Sequence, residues 1–273
     1  MGGFLRPLLG PPARHLLRLA RDRHYRAWRN LELRMGRVPR HTPRSVRTLG
    51  LDLTVPDAPS FLDAFREIFV DRSLAFPSWA QPPRILDLGA NLGLSVLYFL
   101  REHPDARITA LEPDPDLFDV LERNVRSNGG KAVSLRRQAV WSDSRTLRFL
   151  PDGADGGRIL AGGASPGAIE VEAVDAAALF DEGPYDVIKM DIEGAERVVL
   201  PALKDRLGSV RYLFMEVHAG RGERAALASL IAPIEAAGLE VQIQTVRCPA
   251  HPFLDPPSSD PFSLILHVYG VRR

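Results

Sequence analysis

The feature that most constrains the fold of this chain is a glycine-rich turn between a short apolar strand and a helix. The turn occupies residues 87–93 and reads Asp-Leu-Gly-Ala-Asn-Leu-Gly, and residues 94–101 have the pattern of a helix. Glycine lets the backbone approach a ligand closely, and a helix N-terminus supplies unpaired N–H groups. We therefore predict a strand–turn–helix unit that binds a ligand at Gly89, Asn91 and Gly93.

Strand-like and helical segments alternate through the rest of the chain, which favours an α/β fold with a parallel sheet. Helices are predicted from about Ala195 and from about Arg224. Two final apolar segments, Leu239–Val246 and Phe262–Tyr269, have no helix between them, so we expect an antiparallel pair at the sheet edge. The prediction is a Rossmann-like, seven-stranded and mostly parallel sheet. The other candidate strands are Ile85–Leu88, Ile108–Leu111, Val133–Leu135, Val187–Met190 and Tyr212–Val217.

The pattern divides the chain into three segments. Residues 1–48 form an arginine-rich extension, with one helix predicted across Pro12–Arg37. Residues 49–83 are predicted to form a cap segment that contains a short strand and an amphipathic helix. Residues 84–273 are predicted to form the ligand-binding core. Within the core, the glycine-rich stretch Asp152–Gly167 is predicted to be a mobile loop beside the active face.

Charge is distributed unevenly along the chain. Residues 1–48 contain twelve arginines and two acidic residues, Asp22 and Glu32, although the whole chain has a formal net charge of +1. Such an arm could bind nucleic acid or the surface of an anionic membrane, or pack as a solvated helix on the acidic body. Its few aromatic residues, mainly Tyr25 and Trp28, disfavour nucleic acid, because base stacking needs them. Peripheral membrane contact remains open.

The number of cysteines and the distribution of apolar residues bear on the cellular location of the protein. Cys248 is the one cysteine, which excludes an intramolecular disulfide. The N-terminus has no uninterrupted apolar run, and no segment has the length of a membrane span. We therefore expect a cytoplasmic protein, and the sequence does not define its oligomeric state.

Acidic residues stand where the first two core strands end. Asp87 closes the first strand and Glu112 follows the second, where a carboxylate can accept hydrogen bonds from two ribose hydroxyls. After the third strand, the Gln138 amide and the Ala139 N–H are predicted to contact adenine. The turn lacks the Gly-x-Gly-x-x-Gly spacing of pyrophosphate sites. An acidic edge of this kind suits an ammonium and a sulfonium, so the predicted cofactor is S-adenosylmethionine.

A second acidic group follows the later strands. Asp191 should emerge beside the first strand and hold the methionyl ammonium or the acceptor, with Glu193 two residues further on. Glu216 and His218 lie two apart on one strand and therefore point to the same face. His218 is the predicted general base, because an unperturbed histidine has a pKa near 6.5. Glu196 is interpreted as an ordinary acidic residue of a helix first turn.

Metal binding is not supported by this pattern. A divalent ion bridging Asp191, Glu193 and Glu216 is conceivable, but carboxylates alone do not identify magnesium. The sequence has no histidine and cysteine spacing typical of zinc. We therefore assign no metal ligands.

Together these motifs resemble the FkbM-type S-adenosylmethionine-dependent methyltransferases over roughly residues 50–270. The resemblance implies a class I methyltransferase fold and O-methylation of a hydroxyl on a small molecule, a glycan or another natural product. Residues 1–48 lie outside it, and residues 75–77 read Ala-Phe-Pro where many relatives carry a Tyr-Glu pair. The matching motifs are those at 87–93, 111–115, 121–124 with Asn128, 138–140, 189–196 (Lys-Met-Asp-Ile-Glu-Gly-Ala-Glu) and 215–218 (Met-Glu-Val-His).

Two other functions are compatible with parts of the sequence. A nucleotide-cofactor oxidoreductase would use a similar sheet, but the spacing of the glycine turn and the predicted terminal hairpin argue against it. A nucleic-acid-binding or nucleic-acid-modifying methyltransferase could use the basic arm. An enzyme that methylates base amino groups is expected to carry an Asn/Asp-Pro-Pro-Tyr motif, whereas residues 191–194 read Asp-Ile-Glu-Gly.

Overall fold

The computed structural model describes residues 11–160, 165–220, 227–249, 251, 253–254, 262 and 264–273. The chain forms two compact units, one up to Ala75 and the other from Phe76 onward. This division differs from the three predicted segments. The predicted boundary at residues 48 and 49 falls inside a hairpin, so the extension and the cap segment belong to one unit.

The first unit begins with two helices where one was predicted. Helix α1 spans Pro11–Arg21 and α2 spans Arg23–Met35. The prediction of a single helix is wrong because Asp22 interrupts it: the backbone of Asp22 is extended, and its carboxylate accepts the N–H groups of His24 and Tyr25. This is an N-cap, which satisfies donors that the start of α2 leaves unpaired.

A hairpin and a third helix complete the first unit. Strand β1, Arg44–Thr48, pairs antiparallel with β2, Leu51–Val55. The two residues between them have positive φ, as the twist of a two-residue hairpin requires. Helix α3, Ala58–Phe65, starts at the N-cap Asp57 and continues into a π-helical turn at Arg66–Val70. Their buried aromatic residues form the core of this unit and are Phe61, Phe65 and Phe69.

The second unit contains the seven-stranded sheet that the sequence predicts. Its strand order is β12-β13-β11-β10-β3-β4-β5. Strands β5, β4, β3, β10 and β11 are parallel, and β13 lies antiparallel between β11 and β12. The bounds are β3 Arg84–Leu88, β4 Arg107–Leu111, β5 Ser134–Arg136, β10 Val187–Met190, β11 Tyr212–Ala219, β12 Glu240–Arg247 and β13 Leu264–Val271.

Helices connect the parallel strands and bury their apolar faces against the sheet. Strand order reverses at β3, which lies between β4 and β10, and ligands of open α/β sheets bind beside the carboxyl ends at such a point. The predicted helix start near Arg224 lies outside the described residues, as does part of the predicted strand Phe262–Tyr269. The helices are α4 Leu94–Glu102, α5 Pro115–Ser127, α6 Glu196–Ala202 and α7 Leu227–Ala236.

A second, four-stranded sheet was not predicted. It follows β5 and has the order β6-β9-β7-β8, with its own small apolar core. The predicted mobile loop Asp152–Gly167 contains β8, which pairs with β7, and residues 161–164 of that stretch lie outside the described chain. The strands are β6 Ala139–Trp141, β7 Arg145–Leu150, β8 Arg158–Ile159 and β9 Ile169–Asp175.

Strand β12 forms one edge of the large sheet. Of the strands that the structure describes, β13 is the one that pairs with it, and its register shifts between Thr245 and Arg247. The side chains of Ile243 and Val246 are exposed. Among the described residues, none of the helices combines the length and the apolar character needed to cross a bilayer.

Candidate active site

The glycine turn after β3 packs directly against the residue that follows β10. Gly89 has φ +78°, and a Cβ at this position would lie 1.8 Å from the carbonyl oxygen of Asp191. Gly93 has φ +94° at the start of α4, and Asn91 has φ +48°. A side chain at position 89 would clash with Asp191, so only glycine allows the turn to contact the end of β10. The side chain of Asn91 donates to the carbonyl oxygen of Ala154, which connects the glycine turn to the loop between β7 and β8.

Asp87 lies in β3, two residues before Gly89. Its carboxylate is fully buried and accepts a hydrogen bond from Ser95 Oγ at 2.5 Å, and Lys189 Nζ lies 3.6 Å away. Burial raises the pKa of Asp87 above its usual range, although Lys189 and Ser95 oppose the shift. These contacts connect Asp87 to the first turn of α4 and to Lys189, and its contact with the cofactor remains a prediction.

Lys189 is a site residue to which the sequence analysis gave no role. Its Nζ donates to the carbonyl oxygen of Gly89 at 2.5 Å and lies 3.3 Å from Asp191 Oδ2. Burial disfavours the charge on Lys189, but the carboxylates of Asp191 and Asp87 outweigh it and raise the pKa above the ordinary lysine value. Lys189 is thus a permanent cation that joins the glycine turn to the end of β10. A lysine inside the otherwise apolar segment Val187–Met190 was the signal for it.

Glu112 lies at the end of β4, next to the glycine turn. Its two carboxylate oxygens accept the N–H groups of Asn91 and Asp114. Burial raises the pKa of Glu112 to about 7, and these two hydrogen bonds limit the rise. Gln138 is half-buried after β5, and Ala139 is buried at the start of β6. Their contacts with adenine remain predictions.

The structure brings together the four residues predicted for the reacting centre. His218 Nε2 lies 3.2 Å from Glu216 Oε1 and 3.4 Å from Glu193 Oε2, and Asp191 belongs to the same cluster. The carboxyl ends of β10 and β11 place them at one edge of the sheet. Glu193 has φ +52°, a conformation that is uncommon for a residue with a side chain and is often found at functional sites.

Two further residues hold this cluster. His267 on β13 lies opposite Glu216 in the strand register, and its Nε2 is 2.7 Å from Glu216 Oε2. Glu196 is buried, accepts the N–H groups of Ile192 and Gly194, and has Oε1 3.6 Å from His218 Nδ1. Its position in the first turn of α6 was predicted correctly, but it is more than an ordinary first-turn acid because it holds the loop that carries Glu193.

The surrounding charges decide the protonation of this cluster. Burial alone would lower the pKa of His218, but the carboxylates of Glu196, Glu216 and Glu193 outweigh it and raise the pKa to about 12. Burial raises the pKa of Glu193 to about 9, and the charge of His218 only partly opposes this. His218 is therefore protonated near neutrality. The reason given for His218 as general base, an ordinary pKa near 6.5, does not hold in the folded protein.

Glu216 shifts in the opposite direction. Burial would raise its pKa, but hydrogen bonds and charges from His218 and His267 hold it well below the usual glutamate range. Partial burial raises the pKa of Asp191, whose side chain is still 32% exposed, although Lys189 opposes the shift. Glu216 is thus ionised near neutrality, whereas burial favours the protonated form of Glu193.

Three of these side chains have the spacing of metal ligands. Potential ligand atoms of Asp191, Glu193 and His218 all lie within 4.8 Å of one another. A metal bound there would have to displace the proton that the carboxylates hold on His218, and Lys189 already supplies a positive charge beside Asp191. The described side chains fit a proton-binding cluster better than a metal site.

Strand order, a glycine turn at the switch point and an acidic carboxyl edge define the class I methyltransferase fold. A comparison with family models identifies the family. The chain belongs to the FkbM methyltransferase domain family, whose model, described as "Methyltransferase FkbM domain", matches residues 87–241.

Three relatives are similar to parts of the chain. The 31-O-demethyl-FK506 methyltransferase FkbM of Streptomyces tacrolimicus is 31% identical over 213 residues, covering 65% of this chain and 81% of the relative. The hexuronic acid methyltransferase AglP of Haloferax volcanii is 30% identical over 139 residues, covering 49% and 55%. Methyltransferase sdnD of Sordaria araneosa is 44% identical over 64 residues, covering 23% and 25%. The chain thus spans only about half of AglP and about a quarter of sdnD.

Proposed function

We propose that this protein transfers a methyl group from S-adenosylmethionine to a hydroxyl group of a small molecule or glycan. The observation that carries the proposal is the acidic cluster at the carboxyl ends of β10 and β11, beside the glycine turn of a chain in a methyltransferase family. Two relatives, a hexuronic acid methyltransferase and a 31-O-demethyl-FK506 methyltransferase, support an acceptor that bears oxygen.

The residues around the glycine turn fit this cofactor by their chemistry. Each carboxylate oxygen has about two acceptor positions, and each oxygen of Glu112 uses one for a backbone N–H. The remaining positions suit the two hydroxyls of a ribose. Asp191 is partly exposed and suits the methionyl ammonium, and Gln138 and Ala139 suit the adenine. Asp87 stabilises the turn through its contacts with Ser95 and Lys189.

When bound, S-adenosylmethionine supplies a methyl carbon that its sulfonium has already activated. The chain's own task is to align the acceptor and to exclude water, which together account for much of the rate gain in such displacements. In this proposal Glu193, Glu216 and His218 orient the acceptor hydroxyl. The protonated His218 fixes the positions of the two carboxylates.

Removal of the hydroxyl proton requires a base, and we assign that role to Glu193. Its carboxylate is partly exposed, whereas His218 is buried and already protonated. A raised pKa makes an ionised glutamate a stronger base than usual. Glu216 is ionised but weakly basic, because His218 and His267 stabilise its charge.

Isothermal titration of the full chain with S-adenosylhomocysteine and with NAD tests the cofactor. We expect binding of S-adenosylhomocysteine alone, weakened about tenfold or more in Glu112→Gln, because the remaining amide oxygen can accept fewer ribose hydrogen bonds. Glu122→Gln, an exposed glutamate on α5, is the matched control and should bind normally. Binding of NAD, or no binding of either ligand, would refute the proposal.

Transfer of a labelled methyl group to a panel of sugars and polyketide alcohols tests the reaction. We expect Glu193→Ala to lose most of its turnover, and treatment with a chelator to leave the wild type unchanged. Undiminished turnover in Glu193→Ala would remove this residue from the mechanism. Loss of activity on chelation would instead favour a metal at Asp191, Glu193 and His218.

A further inference from the structure

The first two helices expose leucine side chains. Leu33 on α2 is 81% exposed, and Leu16 and Leu17 on α1 are 65% and 38% exposed. Residues two apart on a helix point to nearly opposite sides. Leu33 is therefore directed away from Leu31 and Met35, which are the buried residues of α2. Helix α2 buries one apolar side and presents a further leucine to solvent.

Arginines surround the exposed leucines. At 100° per residue, Arg23, Arg26 and Arg34 all project within about 100° of Leu33 around α2, and all three are exposed. In the part of the chain that the structure describes, Arg21, Arg23 and Arg34 form no ion pair. Their positive charge is therefore not neutralised within this unit.

Helix α1 repeats this arrangement. Leu16, Leu17 and Ala20 are exposed on adjacent positions of the helix, followed around it by Arg21 and Arg18. Apolar residues next to arginines on one helix surface are typical of helices that lie in a membrane interface, where the apolar side chains enter the acyl region and the cations meet lipid phosphates.

A nucleic acid fits these observations less well. It offers phosphates, but it has no apolar phase for exposed leucines. The aromatic residues that could stack on bases are covered: Arg18 lies over the ring of Tyr25, and Arg29 and Arg66 lie over the ring of Trp28. The charge therefore favours an anionic partner, and the leucines favour a lipid.

We propose that the exposed surfaces of α1 and α2 bind a bilayer that contains anionic phospholipid. The two surfaces are together called the basic leucine face, and they consist of Leu16, Leu17 and Arg21 on α1 and Leu33, Arg23 and Arg34 on α2. The leucines enter the boundary between headgroups and acyl chains, and the guanidinium groups contact phosphates. Binding thus requires both the negative headgroups and an apolar layer beneath them.

Co-sedimentation of the full chain with vesicles tests this proposal. We expect at least about tenfold stronger partitioning onto phosphatidylcholine vesicles that contain phosphatidylserine than onto phosphatidylcholine alone, and weaker binding at high salt. The double variant Leu16→Glu, Leu33→Glu should lose about tenfold or more, because charged side chains do not enter the acyl region. Leu254→Glu is the matched control, since Leu254 is 83% exposed and lies in the other unit.

Further measurements separate the contribution of the arginines to vesicle binding from that of the leucines. The variant Arg23→Ser, Arg34→Ser should lose binding to anionic vesicles without a change in thermal unfolding, because both side chains are exposed. Equal binding to both kinds of vesicle, or binding to neither, would overturn the proposal. So would RNA binding that survives Leu16→Glu, Leu33→Glu, or self-association without lipid that this double variant abolishes.

Discussion

His218 lies within 3.6 Å of three carboxylates, those of Glu193, Glu196 and Glu216. In water, charges at such distances would change the pKa of a histidine only a little, but inside a protein the interaction between charges is several times stronger. The carboxylates therefore keep the imidazole protonated despite its burial. A positively charged His218 then acts as a fixed partner for the carboxylates around it, and Glu193 is the residue that can exchange a proton with a bound alcohol.

This assignment predicts the pH dependence of the reaction. Burial raises the pKa of Glu193 to about 9, so kcat/KM should rise with pH up to about 9 as Glu193 ionises. Glu193→Gln should lose this ionisation together with most of the activity. A neutral histidine base would instead give a rise near pH 6.5 that ends below pH 8, and that profile would contradict the role given to Glu193.

Stability should also depend on the protonation of His218. Its pKa is about 12 in the folded protein, against 6.5 for the free side chain. The folded chain thus holds a proton that the unfolded chain has lost, so the contribution of His218 is complete below pH 6.5 and decreases as the pH rises towards 12. The slope is up to about 1.4 kcal/mol per pH unit for one proton.

Denaturant unfolding between pH 7 and 9 measures this slope. In His218→Asn the free energy of unfolding should fall less steeply with pH than in the wild type. His251→Asn is a control at an exposed histidine and should keep the wild-type slope. Parallel curves for wild type and His218→Asn would show that His218 does not take up a proton on folding.

Glu196 is a positioning residue that acts through Glu193 and His218. Glu196→Ala removes the acceptor for the N–H groups of Ile192 and Gly194 and should lower kcat about a hundredfold, because small displacements of reacting groups are costly. Glu196→Gln keeps an acceptor oxygen and should retain more activity. NMR titration of His218 separates charge from packing: its pKa should fall in both variants. An unchanged pKa would exclude the electrostatic role.

Part of this site could be predicted from the sequence. Asp191, Glu193, Glu216 and His218 come together because the carboxyl ends of neighbouring parallel strands share one edge. The contribution of His267 could not be predicted, because it depends on the register of an antiparallel strand 51 residues away from Glu216. The sequence alone also could not predict that His218 is protonated, because this results from burial among carboxylates that are distant in sequence.

At the scale of secondary structure, the strands of the large sheet were predicted best because several of them, such as β3, β4 and β10, are short runs of mainly apolar residues. Five of the predicted strands, those that correspond to β3, β4, β5, β10 and β12, agree with the observed bounds to within one residue at each end. The second sheet was missed, although Ile169, Val171 and Ala173 alternate with glutamates along β9, as expected for a half-buried strand. Asp22 was only counted as one of two acidic residues in the extension, whereas it ends one helix and caps the next.

The tight contact between the glycine turn and the end of β10 leads to a prediction for Gly89. In Gly89→Ala the new Cβ would meet the carbonyl oxygen of Asp191 at 1.8 Å, so the turn and the strand must separate. We expect a loss of stability of about 3 kcal/mol or more and loss of S-adenosylhomocysteine binding. Thermal unfolding and calorimetric titration measure both effects.

Gly129→Ala is the matched control for this substitution. Gly129 has φ +94°, similar to the φ of Gly89, but a Cβ there would meet nothing within 4 Å. Its cost should be limited to the backbone strain of about 1–2 kcal/mol. Equal losses in the two variants would mean that the contact with Asp191 is unimportant.

At the scale of the whole molecule, the candidate site belongs to one compact unit. The glycine turn, Glu112 and the cluster around His218 all lie between Phe76 and Arg273. We therefore expect a fragment of residues 76–273 to bind S-adenosylhomocysteine with an affinity within about threefold of the full chain, while vesicle binding is lost. Calorimetry and co-sedimentation of the two proteins test this expectation. A folded fragment without affinity for the nucleoside would contradict it.

Among the described strands, β12 is the outermost of the large sheet, and one row of its backbone donors and acceptors has no partner among them. The register shift between Thr245 and Arg247 breaks the regular spacing of that row. A second molecule that tried to extend the sheet would meet misaligned hydrogen-bonding groups over the part of the strand where Val246 is exposed. The irregularity thus works against growth of a continuous intermolecular sheet, and so against fibre-like aggregation.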